Sequence, residues 1–246
     1  MAKQGGLGAA LYVGGVDLSG NCTNLAVGGG PALLDVTTLA QTGMDRLGGK
    51  RDAKFDVTVV YDPLVEHPTL SALPTTDVIL TFAVPTLAVG APACCMNSKQ
   101  TNYDGTRAAD GLYTFAVSAL PNSYGLEWGN LLTAGIQTDT TATNGASWDT
   151  GGSLSYGAQA YLQVFSVTGT SVTVKIQDSA DNSSWADVAS LAFTAATPAG
   201  SPQAQRISIA NNATVRRYVR AASTGTFSNA QYAVVLVKNP LAGVIF

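Results

Sequence analysis

Phe55-Asp56-Val57-Thr58-Val59-Val60-Tyr61 places apolar residues at alternate positions. That is the period of a strand with one buried face, shared here by Phe55, Val57, Val59 and Tyr61. Downstream, Asp77-Val78-Ile79-Leu80-Thr81-Phe82-Ala83-Val84 is a nearly continuous apolar run between Pro74 and Pro85, the profile of a central strand. Leu112-Tyr113-Thr114-Phe115-Ala116-Val117 follows the turn signal Asp110-Gly111. Only residues 63–73 read as helix, with Leu64, Leu70 and Leu73 as apolar members and Pro74 as the stop. The expectation is an all-β chain with one short helix.

The second half repeats the strand pattern. Segments 161–165, 172–177, 185–188, 206–209, 218–221 and 230–237 read as short strands at the spacing of an antiparallel sandwich. Val172, Val174 and Ile176 share one face, and Asp178 to Ser184 is the turn before Trp185. Before them, Gln137-Thr138-Asp139-Thr140-Thr141-Ala142-Thr143-Asn144-Gly145 and Gly151-Gly152 have the small polar composition of a linker. The expected organisation is therefore serial: a β-sandwich or barrel domain over 1–135, a linker over 136–156 and an antiparallel β-sandwich over 157–246.

Composition excludes several functions. Of 246 residues, 12% are charged, about half the usual share of roughly 25%. Apolar content is 46%, so the chain is not of the charged, apolar-poor disordered kind. No stretch reaches the roughly 20 apolar residues of a spanning helix. A net charge of −3 gives no general attraction to nucleic acid. It divides as −4 up to Ala134 (7 basic, 11 acidic) and +1 from Gly135 (6 basic, 5 acidic). Such sparse charge suits a protein made largely of interfaces, because large exposed apolar patches mark contacts.

Chemistry has little to work with. Cys22, Cys94 and Cys95 form neither a disulfide framework nor a Cys-x-x-Cys site. The first residues lack a basic segment followed by an apolar one, so a leader is not expected and the thiols read as reduced and cytosolic. His67 is the single histidine and reads as a helix-start or surface residue. Gly5-Gly6-Leu7-Gly8 and Gly28-Gly29-Gly30 match no nucleotide motif and read as turn or flexible glycine. Asp178, Asp181 and Asn182 lack the order of a calcium loop and read as a hairpin turn. Glu66 and Glu127 are the only glutamates. Arg216, Arg217 and Arg220 form the one basic cluster, read as solvated or subunit-contact charge. No catalytic residue, cofactor or metal is expected.

One region carries a family resemblance. Asp35-Val36-Thr37-Thr38-Leu39-Ala40, Met44-Asp45-Arg46-Leu47-Gly48-Gly49-Lys50-Arg51-Asp52 and the alternating strand ending Tyr61-Asp62-Pro63 resemble the major tail proteins of long-tailed, siphovirus-type phages. The helical segment, the strand over 77–84 and Gly111 to Ser118 leading to Tyr124-Gly125-Leu126-Glu127 follow in the order that family shows. The resemblance spans about residues 10–130. The sandwich from 157 looks like accessory domains on phage tail and capsid proteins.

The resemblance implies a structural virion protein whose rings, commonly hexameric, stack into a tail tube. The partners implied are other copies of the chain, further tail proteins at the tube ends and viral DNA passing without specific binding. Assembly would occur in the bacterial host cytoplasm, and the product would be the virion tail. Inter-subunit contact is expected from the loop over 42–52, with Thr42, Met44, Asp45, Arg46, Leu47, Lys50, Arg51 and Asp52. The −4 charge of the first domain suits a lumen that repels DNA. Trp148 and Trp185 are the expected external glycan contacts, and Trp128 is a further candidate stacking platform. The alternatives are a capsid decoration or minor tail protein, and a carbohydrate-binding β-sandwich module.

Overall fold

The computed structural model describes residues 5–241. Residues 1–4, which open the segment read as lacking a leader, and 242–246, the end of the expected second domain, lie outside the described residues. The chain is all-β: fifteen strands and a single α-helix occur among the described residues, and every strand pair is antiparallel. In chain order the first strands are β1 (Ala10–Val13), β2 (Val16–Asp17), β3 (Cys22–Asp35) and β4 (Arg46–Val60). Helix α1 (Glu66–Leu70) precedes β5 (Val78–Ala83), β6 (Pro92–Gln100), β7 (Asp104–Arg107), β8 (Tyr113–Pro121) and β9 (Glu127–Leu131). Then come β10 (Gln137–Asp139), β11 (Trp148–Asp149), β12 (Ala158–Ser179), β13 (Ala186–Ala192), β14 (Gln203–Ser208) and β15 (Tyr218–Lys238). No helix among the described residues is long and apolar enough to cross a membrane.

Compactness divides the chain into one unit of residues 1–20, 78–95 and 127–246 and another of residues 21–77 and 96–126. These units are interleaved in sequence, unlike the expected serial boundaries at 1–135, 136–156 and 157–246. The reason lies in β15. Its residues alternate between two cores: Val234 and Leu236 join Leu162 and Val164, whereas Ala233, Val235 and Val237 join Tyr161, Tyr12 and Ala93. A strand buried on both faces needs cover on both, and each fully buried Val or Leu contributes about 1.5–3 kcal/mol. Strands from the first half supply one of those covers. In the first unit the strand order is β13-β12-β15-β9-β6-β5-β1-β2.

The expected short strands 161–165 and 172–177 are one strand, β12, and 218–221 and 230–237 are one strand, β15. They pair along their length, with register shifts around Gly169. Gly169 and Gly225 take φ of +125° and +126°, a region L side chains rarely enter. Bulges there absorb the polar interruption, so the chain bends and continues instead of turning. The expected linker 136–156 is likewise not free: β10 and β11 pair with β15, and Thr143 and Gly145 hydrogen-bond its backbone. Asp139 is buried there, accepting from the Tyr232 hydroxyl at 2.6 Å, the Ser223 hydroxyl at 2.5 Å and the Gln137 amide at 2.9 Å. Polar residues that looked solvated are satisfied by a strand edge.

The second unit contains the sheet β7-β8-β4-β3. Phe55, Val57 and Val59 are buried as expected and stand opposite Ala119, Val117 and Phe115 of β8. Tyr61, expected on that face, lies one residue past β4 and is 38% exposed. The helix is shorter than the expected 63–73. Its last turn closes with Ser71 N–H on the His67 carbonyl, and Leu73 takes φ +43° before Pro74, whose missing N–H prevents continuation.

Candidate functional site

The most exposed apolar feature of the second unit is the outer half of the β3–β4 hairpin. Residues 55–60 of β4 pair with β3 on one edge and β8 on the other. Residues 46–53 pair with β3 alone, forming a two-stranded arm. Gly28, Gly29 and Gly30, expected as turn or flexible glycines, are strand residues opposite Lys54, Ala53 and Asp52. A side chain at Gly29 would lie 2.8 Å from the Ala53 Cβ, so glycine permits the close pairing. The turn spans residues 36–45 and is held by polar groups. Asp35 accepts from the Thr37 N–H at 2.9 Å and its hydroxyl at 2.6 Å, and the Gln41 side chain accepts from Thr38 N–H at 2.7 Å. With those groups occupied inside the turn, Leu33, Leu34, Val36, Leu39, Met44 and Leu47 are left exposed.

This places the expected contact residues. Thr42, Met44 and Asp45 belong to the turn, while Arg46, Leu47, Lys50, Arg51 and Asp52 belong to the protruding part of β4. The expected loop over 42–52 is therefore half strand, and the turn begins six residues earlier than 42. The sequence hid this because the Gly-Gly-Gly segment read as a break.

At the opposite end of the same hairpin lies an aromatic cluster. Tyr61 meets Tyr113 with ring centroids 5.6 Å apart and His67 at 5.4 Å, and Tyr103 stacks on Phe115 at 4.0 Å. His67 Nδ1 lies 2.9 Å from the Tyr103 hydroxyl. Burial and the neighbouring Glu66 carboxylate push the Tyr103 phenol well above its ordinary range. His67 is thus a helix residue engaged in packing.

In the first unit several charged groups are committed to one another. Glu127, wholly buried, accepts from Arg206 at 2.7 and 2.9 Å and also from the Tyr161 hydroxyl. Burial opposes the Arg206 charge, yet the hydrogen bonds to Glu127 carry its pKa above the usual arginine value. Arg216 binds Asp178 at 2.7 Å, Arg217 binds Asp149 at 2.6 and 2.7 Å, and Arg220 donates to Gln177 with its guanidinium 4.2 Å from the Trp185 ring centroid. The basic cluster is thereby paired within its own unit, with Arg217 still exposed. Asp178 is spent on Arg216, and Asp181 accepts from Ser183 and Ser184 N–H, so the hairpin-turn reading of that loop holds. No group of three or more His, Cys, Asp or Glu among the described residues could hold a metal ion. Trp148 packs on the main core, Trp185 lies under Arg220, and Trp128 is 52% exposed. The Glu127–Arg206 pair escaped the sequence reading because its members are 79 positions apart.

No family model matches the chain, and no curated protein matches it. Solved structures of weak fold similarity include three from phage-type particles and their tails. A chain of the virion of a native gene transfer agent particle aligns with TM-score 0.42 and 14% identity, over 51% of this chain and 98% of that one. A chain from the tail of an empty gene transfer agent particle, with C6 symmetry, gives 0.41 and 15%, over 50% and 97%. The SPP1 Dit (gp 19.1) protein, described as a paradigm of the hub adsorption apparatus in phages infecting Gram-positive hosts, gives 0.35 and 13%, over 94% and 99%.

Proposed function

We propose that this chain is a structural subunit of a phage-type tail, a tail-tube protein whose rings stack through the β3–β4 arm. The observation that carries this reading is the arm itself. A two-stranded ribbon is marginal in water by itself, and this one exposes six large apolar side chains around its turn. Such a surface marks a protein contact. The outer edge of β3 adds to it: its residues 22–34 carry no charge, and an unpaired, uncharged edge is a template for another strand. An edge-to-edge contact between different faces is head-to-tail and closes into a ring when its rotation divides a full turn. Six copies per ring is the expected number, with other tail proteins at the tube ends and DNA passing through an acidic lumen without specific binding.

The test is electron microscopy of the purified chain over a concentration series, beside a variant lacking residues 44–50. Rings or tubes from the intact chain, and a folded but unassembled variant, are the expected results. Tubes formed by the deletion variant would remove the arm from assembly. Discrete monomers or trimers of the intact chain at every concentration would overturn the tube reading and favour a capsid decoration protein.

A further inference from the structure

The strip with a linker's composition also holds the chain's only Asn-Gly pair, Asn144-Gly145. Asn-Gly is the strongest short-range signal of a two-residue hairpin turn, in which both residues take positive φ. Neither does so here. Asn144 instead forms an isolated antiparallel bridge with Ala222 of β15. On one side of it Thr143 and Ser223 exchange backbone hydrogen bonds of 3.1 and 2.8 Å. On the other, Gly145 N–H donates to the Ala221 carbonyl at 2.8 Å. The Asn144 side chain is exposed.

An asparagine followed by glycine carries its own chemistry. The Gly145 amide nitrogen, unhindered by a side chain, can attack the Asn144 side-chain carbonyl. The new N–C bond closes a five-membered succinimide, and the side-chain nitrogen leaves as ammonia. Water then opens the ring at one of its two carbonyls, giving aspartate or isoaspartate; in the latter the main chain runs through the former side-chain carbon. The first step needs a Gly145 N–H that is free to lose its proton and to swing towards Asn144 Cγ. Its hydrogen bond to Ala221 denies the first. Its close seat denies the second, since a Cβ on Gly145 would lie 2.7 Å from the Ala221 oxygen.

Polar groups hold this strip to β15. The Ser223 hydroxyl accepts from Thr143 N–H at 3.1 Å and donates to buried Asp139 at 2.5 Å, and Asp139 also accepts from Tyr232. No residue from 140 to 147 is buried. A segment with few buried contacts and solvent-facing backbone hydrogen bonds opens locally at a lower free energy than the core around it. We infer that Asn144 is a modification site gated by this docking: it is protected while residues 137–145 lie on β15 and converts to aspartate or isoaspartate when they lift off. The isoaspartate product keeps them off, because its extra main-chain atom displaces Gly145 N–H from Ala221. Local opening thereby becomes irreversible, a kinetic device within the first unit that is independent of what the chain assembles into.

The test is peptide mapping by mass spectrometry, with isoaspartate resolved from aspartate. The full chain and a synthetic peptide of residues 139–150 are incubated in the same mildly alkaline buffer. The full chain should convert Asn144 at least about tenfold more slowly than the peptide, which corresponds to about 1.4 kcal/mol of local opening. Asp139→Ala should speed conversion severalfold while keeping the wild-type circular dichroism spectrum. Ser223→Ala, which leaves the backbone hydrogen bonds in place, is the milder variant that serves if Asp139→Ala unfolds. Conversion of the intact chain at the peptide's rate, or no acceleration in a folded variant, would overturn the gate. The second readout is hydrogen exchange on the isoaspartate fraction, separated by ion exchange. There the Thr143 and Gly145 amides should lose protection while those of β12 keep theirs. Unchanged protection at both would overturn the claim that the product holds the strip open.

Discussion

Replacing Glu127 with Gln tests how the first unit is held together. In the folded chain both carboxylate oxygens face the Arg206 guanidinium, at 2.7 and 2.9 Å, and the Tyr161 hydroxyl donates to Oε2. The side chains are 1% and 7% exposed, so water cannot replace a lost partner. Gln keeps the shape but turns one acceptor into a donor that points at guanidinium N–H groups, and it leaves a buried cation unneutralised. Removing one member of a buried pair in this way costs about 3–5 kcal/mol. For a chain of this length each kcal/mol lowers the melting temperature by about 2–4 °C, giving an expected drop of about 6–20 °C. The assay is scanning calorimetry at neutral pH on Glu127→Gln, Arg206→Met and the double variant Glu127→Leu/Arg206→Met. The double variant removes both charges and should melt above either single one, because an apolar pair of similar volume often replaces a buried ion pair without loss. A melting temperature for Glu127→Gln within about 2 °C of wild type, or strictly additive losses, would show that the pair is solvated and refute the reasoning.

Other outcomes follow from single positions. Gly169→Val should destabilise the chain by more than about 2 kcal/mol in urea unfolding, since a Cβ there lies 2.6 Å from the Phe227 Cα and the φ of +125° is strained for any L side chain. Arg217 hydrogen bonds lower the Asp149 pKa to about 2, so its contribution is complete above the ordinary carboxylate value and lost as pH falls towards 2. Asp149→Asn should therefore flatten the acid limb of a melting-temperature profile. Lys238 donates to the Thr150 hydroxyl and Gly152 carbonyl, and burial lowers its pKa to about 8 despite the opposing pull of Asp178 and Asp149. The unfolded chain binds that proton more tightly, so stability should rise from pH 8 to about 10, and Lys238→Met should abolish the rise. Above about 10 the sign reverses, because burial raises Tyr12 to about 12 and the unfolded chain loses phenol protons first.

The sequence disclosed local burial well and chain-distant pairing poorly. Phe55, Val57 and Val59 alternate because their strand has one covered face, and their cross-strand partners Ala119, Val117 and Phe115 confirm it. The run over 230–237 is continuous rather than alternating because it is covered twice, but nothing local says that the second cover comes from residues near 12 and 93. Polarity misled at 136–156: Asp139 and Thr143 have a linker's composition, yet each has a partner more than 75 positions away. The gap between the expected strands 161–165 and 172–177, which contains Gly169, misled in the other direction. Glycine within a strand pattern marks a bulge as readily as a turn, and only the pairing of β12 with β15 decides between them.

The same distinction separates the two units in their expected behaviour. In the first, Glu127, Asp139 and Asp178 are buried and each has its hydrogen-bond donors within the unit. A network satisfied internally has no need of a partner and fixes one arrangement of its strands. In the arm of the second unit the order is reversed: polar groups are satisfied inside the turn, by Asp35 and Gln41, while leucines and Met44 face outward. The turn is therefore shaped before any partner arrives, and its apolar groups lose water only on contact. A preshaped arm loses less conformational freedom on binding than a disordered loop would. Even a modest apolar contact, repeated by every copy, can then drive assembly.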